Sequence, residues 1–210
     1  MFWFFIYFKT NDHWDSCSQK TKFHNKNNAF KSLTFEGVVG HHAYNKLNPT
    51  VAYNSLFKGN TVYGSSERNA EFAYGFNGWN YAAYLNFDLS AKWELKLSYI
   101  GILNSKAPAG KSLGDAVTSG FTFKNGVHHY SLDFSRSDVE SDAIVGTFTS
   151  YGDFKTNSIT NNIWLGYENK KDGYSVRGVV QEYKIKNPVE YVQGDGNLFQ
   201  LQLSKAYEIF

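Results

Sequence analysis

The chain has 210 residues, of which 18% are aromatic and 19% charged, and its formal net charge is +2 at pH 7. Glycine, tyrosine and phenylalanine are abundant, whereas proline, methionine and cysteine are scarce, and this usage favours strands over helices. Lysine and arginine are dispersed, which excludes the basic stripe of a nucleic-acid binder. The single Cys17 excludes an internal disulfide framework. The length allows one domain with a sizeable core, or one closed barrel.

The N-terminal stretch FWFFIYF, residues 2–8, is apolar but too short to cross a bilayer as a helix. It has neither the basic start nor the small-residue cleavage site of a signal peptide. We interpret it as a missing or replaced start, or as an extra strand, and treat residues 1–30 as a poorly defined N-terminal segment. No run of about 18 apolar residues predicts a transmembrane helix.

From residue 31 onward the hydrophobic pattern has a period of two, which predicts strands rather than helices. Hairpin turns are predicted at Asn77-Gly78, Asn125-Gly126 and Asp172-Gly173, so that neighbouring strands pair antiparallel in a meander. Residues 31–210 therefore form one unit without a linker. The predicted strands are 31–39, 50–57, 69–76, 79–87, 93–102, 117–123, 127–135, 143–154, 162–168, 174–185 and 197–209.

The stretch WNYAAYLNFDLSAKWELKLSY, residues 79–99, shows the two unlike faces of these strands. Large apolar groups occupy one parity, and aromatic rings lie near the strand ends, where the interfaces of a bilayer would fall. We predict a lipid-facing girdle that comprises Trp79, Phe87, Trp93, Tyr99 and Tyr207. The opposite parity carries small, amide and charged residues that suit a wet interior. The predicted pore-lining residues are Asn80, Tyr84, Asn86, Glu94, Lys96, Ser98, His129, Ser131, Asp133, Glu168, Arg177, Gln200 and Gln202.

A soluble β-sandwich, for example one that binds carbohydrate, also alternates apolar and polar residues and is the main alternative fold. The strands here are longer than sandwich strands, which average about five or six residues. The polar parity also lacks the lysine-rich character of a solvent face. Both features favour the membrane interpretation.

This pattern resembles the outer-membrane β-barrels of Gram-negative bacteria, in particular small monomeric porins. The resemblance covers residues 31–210 and includes the last strand, NLFQLQLSKAYEIF, which ends in Phe210. The chain departs from the class at that strand, because Phe199, Leu201 and Leu203 have the parity opposite to Phe210. A bulge in the last strand would account for the difference.

The resemblance implies a closed, antiparallel, up-and-down transmembrane β-barrel in the outer membrane. We expect about 12 strands, within a range of 10 to 14, because such barrels have even strand numbers. A chain that is a fragment of a larger porin would show the same pattern. The implied function is passive diffusion of small polar solutes or ions, without enzymatic activity, metal or cofactor. The implied partners are membrane lipid, the solutes and the barrel-assembly machinery, which reads the C-terminal strand; a monomer is expected rather than a trimer.

Two other functions remain open. His129 and Ser131 share a strand face with Asp133, so a lipid-modifying hydrolase could use the histidine as a general base and the serine as a nucleophile. The His-Tyr-Ser step of HHYSLDF resembles the one in outer-membrane lipid A deacylases. An adhesin or anchor would instead use the loops at 103–116 and 186–196. For a channel, the mixed signs of Glu94, Lys96, Asp133, Glu168 and Arg177 predict a weak ion preference.

Overall fold

The computed structural model describes residues 15–24, 31–44, 47–146, 156–187 and 194–205. These residues form eleven strands and one short helix. In chain order the elements are β1 (Asp15–His24), β2 (Ser32–Tyr44), α1 (Pro49–Leu56), β3 (Val62–Tyr63), β4 (Glu71–Phe72), β5 (Phe76–Asp88), β6 (Trp93–Asn104), β7 (Leu113–Asn125), β8 (His128–Val139), β9 (Ser158–Asn169), β10 (Tyr174–Ile185) and β11 (Gly196–Lys205).

Nine strands form one antiparallel sheet in the order β1-β2-β5-β6-β7-β8-β9-β10-β11, and β3 pairs separately with β4. The predicted all-β class and antiparallel meander are confirmed, but the prediction of a closed barrel with about 12 strands is wrong. Among the described residues, β1 and β11 are edge strands, each hydrogen-bonded to one neighbour.

The error has a physical reason. Alternation fixes the face on which each side chain lies, and hairpin turns fix which strands are neighbours, but neither fixes whether the last strand meets the first. In a meander of nine antiparallel strands, β1 and β11 run in the same direction. They therefore cannot form the antiparallel pair that closes an up-and-down barrel of even strand number.

One predicted strand, 50–57, is the helix α1. Asn48 caps it, because the Asn48 side-chain oxygen accepts a hydrogen bond from the Thr50 backbone N–H at 2.9 Å. Pro49 follows at the first helical turn, where its missing N–H costs nothing. Asn48 and Pro49 favour the start of a helix more strongly than the weak alternation in residues 50–57 favours a strand. Within the described part of the chain, no helix is long and apolar enough to cross a membrane.

The predicted turn at Asn77-Gly78 is also wrong, since both residues lie inside β5, and the predicted strand 69–76 is reduced to β4 and the start of β5. Gly78 is needed there for a different reason. A Cβ atom at Gly78 would lie 1.7 Å from the Leu103 backbone oxygen on the adjacent strand β6. A close approach of two backbones explains a glycine within a strand as well as a turn does.

The turns at Asn125-Gly126 and Asp172-Gly173 are confirmed, with positive φ angles of 61° at Gly126 and 66° at Gly173. Short connections at 89–92, 126–127 and 170–173 lie at one end of the sheet, called here the turn end. Longer connections at 45–75, 105–112, 140–157 and 186–195 lie at the opposite end, the loop end.

Residues 143–146 of the predicted strand 143–154 are not a strand. Residues 2–8, Tyr207 and Phe210 lie outside the described residues, as do 147–154.

The apolar core is small and lies at the loop end. Phe76, Ile102 and Val139 are buried where β5, β6 and β8 meet the long loops, and Ala52 of α1 and Val145 of the 140–157 connection are buried there too. The described residues 47–75 and 140–146 therefore pack as a folded cluster on the sheet.

A buried polar network holds this loop cluster together. The fully buried Asp142 carboxylate accepts hydrogen bonds from the Thr61 backbone N–H at 2.9 Å, the Thr61 hydroxyl at 2.7 Å and the Ser141 hydroxyl at 2.8 Å. The Asn60 amide donates to the Ser141 and Ile144 carbonyls and accepts from the Gly146 N–H. These bonds tie residues 60–61 to the 140–157 connection.

Candidate functional site

The thirteen predicted pore-lining residues all lie on one face of the nine-stranded sheet, called here the polar face. Strand register places them there: Tyr84 is opposite Ser98, Asp133 is opposite Trp164, and Arg177 is opposite Gln202. Directly opposed residues on neighbouring strands share a face of the sheet. Residues an even number of positions away from them along the same strand lie on that face too. The faces follow from sequence parity as predicted, while the pore-lining role remains a prediction.

The opposite, apolar face carries four of the five predicted girdle residues. Trp79, Trp93 and Tyr99 are exposed there, and Phe87 lies on the same parity of β5. Tyr207, the fifth, lies outside the described residues.

An aromatic belt runs across five strands at the turn end, and the sequence analysis predicted only one of its members, Trp93. Ring centroids are 4.7 Å apart for Trp93 and Phe123, 6.3 Å for Phe123 and Tyr130, 5.3 Å for Tyr130 and Tyr167, and 5.9 Å for Tyr167 and Tyr174. These separations lie within the range of favourable aromatic pairs. The available signal was an aromatic residue of apolar parity beside each of the three short turns.

Between the aromatic belt and the loop end, the apolar face presents large hydrophobic side chains to the surroundings. Leu165 and Val180, for example, are 62% and 54% exposed. On β2 and β5–β11 the charged residues of this face lie only near the strand ends. They are Asp115, Arg136, Asp138, Glu182 and Lys184 towards the loop end and Lys205 at the turn end.

The polar face is the concave side of the sheet. Asn162 and Gln181 on this face are only 1% and 7% exposed, although they are on the same strands as the exposed Leu165 and Val180. A cleft of about 560 Å³ is lined by residues from five consecutive strands, β6 to β10. Five neighbouring strands can enclose one cleft only if the sheet curves around it.

This charged cleft brings together six of the predicted pore-lining residues. They are Glu94, Lys96, His129, Ser131, Glu168 and Arg177. An adjoining cleft of about 410 Å³ contains Asp133 and again Lys96 and Arg177. Asn80, Tyr84, Asn86, Ser98, Gln200 and Gln202 line neither cleft and lie elsewhere on the polar face.

The charges of the cleft are unevenly paired. Glu94 binds two lysines, with its carboxylate oxygens 3.2 Å from Lys96 Nζ and 2.8 Å from Lys124 Nζ. Lys124 was not among the predicted residues, although its parity on β7 places it on this face. Lys170 Nζ, at the turn after β9, is 2.6 Å from Glu168. Glu94 is therefore the shared carboxylate of a two-lysine cluster.

Arg177 is held by an aromatic ring that the sequence analysis missed. The guanidinium carbon lies 4.1 Å from the centroid of Trp164, a cation–π distance, and Arg177 Nη2 is 3.9 Å from Asp133 Oδ2. Trp164 is an aromatic residue on the polar parity of β9, and that parity violation was the signal that could have identified it.

Neutral side chains connect the strands of the polar face towards the loop end. The Gln181 amide donates to Asn162 Oδ1 at 2.8 Å, and the Asn162 amide donates to Ser135 Oγ at 3.0 Å. This ladder crosses β10, β9 and β8 and is buried. It satisfies polar groups within the sheet and stiffens its concave side.

His129 and Ser131 both line the charged cleft, but in the described part of the chain their side chains are not hydrogen-bonded to each other. The base and nucleophile of a hydrolase need a contact of about 2.6–3.2 Å or a path through one water. Among the described residues no group of three or more histidine, cysteine, aspartate or glutamate side chains is placed to hold a metal ion.

No family model matches the chain, and no curated protein or solved structure is significantly similar to it.

Proposed function

We propose that this chain lies in a bacterial outer membrane and forms the wall of a passive channel for small polar solutes or ions. Its apolar face would contact lipid, and its polar face would line the aqueous path. The observation that carries the proposal is the segregation of charge: the wide central part of one face is exposed, apolar and uncharged, while the other is concave and charged. An exposed apolar surface of this extent in water would drive aggregation.

The strand lengths suit a bilayer. Strands β5 to β10 have 12 or 13 residues, which at a rise of about 3.3 Å per residue makes each about 40 Å long. A tilted strand of that length crosses a hydrocarbon layer of about 30 Å.

The ends of the sheet suit the two interfaces. The aromatic belt at the turn end matches the headgroup level, where amphipathic rings are stable, and the charged residues of the apolar face begin towards the loop end. Short turns at one end and long loops at the other follow the arrangement of outer-membrane proteins, in which the long loops lie outside the cell.

The proposal places one requirement on the sheet edges. Unpaired backbone N–H and C=O groups cannot lie in hydrocarbon, because water is not available to satisfy them. The outer edges of β1 and β11 must therefore be hydrogen-bonded to further strands when the sheet is in the membrane.

Two adjacent residues on β8 give a matched test. Leu132 is on the apolar face and Ser131 on the polar face. In a bilayer, Leu132→Lys should make the free energy of folding into lipid vesicles less favourable by about 2–4 kcal/mol. Ser131→Lys should fold into the same vesicles nearly as well as the unmodified chain does. Equal behaviour of the two variants, or a protein that stays monomeric in detergent-free buffer, would contradict the membrane proposal.

Conductance separates the channel from the other candidate functions. The purified protein, reconstituted in planar bilayers, should produce discrete current steps in potassium chloride. A membrane-inserted protein without current would favour an anchor or adhesin. Lipid deacylation that is lost in Ser131→Ala would favour the hydrolase.

A further inference from the structure

The two clefts of the polar face meet at a pair of cationic side chains. Lys96 and Arg177 line both the cleft of about 560 Å³ and the adjoining cleft of about 410 Å³. They are the residues that the two clefts share, so a solute at the boundary between the clefts lies beside them. We refer to the pair as the cationic junction.

The carboxylates near the cationic junction do not neutralise it. Glu94 is shared between Lys96 and Lys124, and Asp133 lies 3.9 Å from Arg177, beyond hydrogen-bond distance. Lys96, Lys124 and Arg177 thus face Glu94 and Asp133. Lys170 and Glu168 of the same cleft pair with each other, so one net positive charge remains. The Lys96 and Arg177 side chains are 55% and 49% exposed, so both can reach a solute.

Trp164 gives the junction a fixed geometry. Its ring lies against the Arg177 guanidinium, which restricts the side chain without using the N–H donors at the guanidinium edge. A planar fork of N–H groups matches the two oxygens of a carboxylate. Lys96, which is paired with Glu94, adds a second cation on the β6 side of the cleft.

We propose that Lys96 and Arg177 bind small organic anions that carry a carboxylate, and that the cationic junction makes the polar face anion-selective. This inference deepens the proposed channel function and rests on it for its physiological meaning. An anion preference differs from the weak ion preference that the mixed charges predicted. The difference arises because Glu94 is shared by two lysines, which leaves an excess cation where the two clefts meet.

Binding can be tested without any current. Collisional quenching of Trp164 in detergent micelles reports the local ion concentration, with iodide as the anion, caesium as the cation and acrylamide as the neutral reference. The Trp164 signal is the difference between the unmodified protein and Trp164→Phe. We expect the iodide-to-caesium quenching ratio of this signal to fall at least about twofold in Lys96→Gln and in Arg177→Gln.

Lys184→Gln is the matched control, because Lys184 pairs with Glu182 on the opposite face near the loop end. Its quenching ratio should equal that of the unmodified protein. Millimolar acetate should protect Trp164 from iodide in the unmodified protein but not in the double variant Lys96→Gln/Arg177→Gln. Unchanged ratios in both junction variants would overturn the site.

Reversal potentials in a potassium chloride gradient give the second readout. The unmodified protein should prefer chloride, and the double variant should lose that preference while Lys184→Gln retains it. If quenching of Trp164 is anion-selective but the protein carries no current, the anion site is supported and the channel function is contradicted. If the unmodified protein, the double variant and Lys184→Gln all conduct potassium and chloride equally well, the channel function is supported and the anion site is contradicted.

Discussion

The two ends of the polar face use polar residues in opposite ways. At the loop end, Asp142 and Asn60 are almost fully buried, and their side chains make hydrogen bonds of 2.6–2.9 Å to neighbouring loop residues. In the charged cleft, Lys96, Lys124 and Arg177 are partly exposed and share too few carboxylates. A buried, fully hydrogen-bonded group mainly stabilises a fold, whereas an exposed and incompletely paired charge remains available to a solute.

The loop end should show the largest stability effect. Asp142→Ala removes the buried acceptor of three hydrogen bonds and leaves the half-buried Thr61 and Ser141 donors without it, which should lower the free energy of unfolding by about 3 kcal/mol. Denaturant unfolding followed by tryptophan fluorescence measures the change.

Asp138→Ala is the control for this variant. Asp138 is also near the loop end, but its carboxylate is 40% exposed and pairs with Lys186. Solvent screens that pair, so the variant should lose less than about 1 kcal/mol. Equal losses in the two variants would contradict the distinction between a buried network and an exposed pair.

The neutral ladder between the two ends should show an intermediate effect. Asn162→Ala removes the central side chain between Ser135 and Gln181 and should cost about 2 kcal/mol of unfolding free energy. Asn161→Ala, one residue away on the other face, loses only a 3.4 Å contact with Glu182 and should change stability by less than about 0.5 kcal/mol. Reversed magnitudes would mean that the ladder does not stiffen the sheet.

The charged cleft should show the smallest stability effect. Glu94→Gln weakens two ion pairs whose lysines are partly exposed and should cost less than about 1 kcal/mol in the same unfolding measurement. It should also increase the preference for chloride in reversal-potential measurements, because one of two carboxylates loses its charge. Glu182→Gln, on the opposite face, should leave that preference unchanged. A large stability loss without a change in selectivity would reverse the assigned roles of the two regions.

The candidate site was predictable where it depended on parity alone. Alternation along β6 and β8 placed Glu94, Lys96 and Ser131 on one face without any knowledge of the sheet. Parity also places Trp164 and Lys124 on this face, but it does not say that they lie within reach of Arg177 and Glu94. The partners of Arg177 and Glu94 follow from strand register, which is a property of the assembled sheet.

The sequence by itself determined the strand-rich class, the two unlike faces and the hairpins at Asn125-Gly126 and Asp172-Gly173, since these follow from side-chain period and local turn chemistry. Tertiary structure decided the rest. The close approach of β5 and β6 placed Gly78 inside a strand, and the number of paired strands left β1 and β11 as edges among the described residues. These outcomes depend on contacts between residues far apart in the chain, and a local pattern carries no information about such contacts.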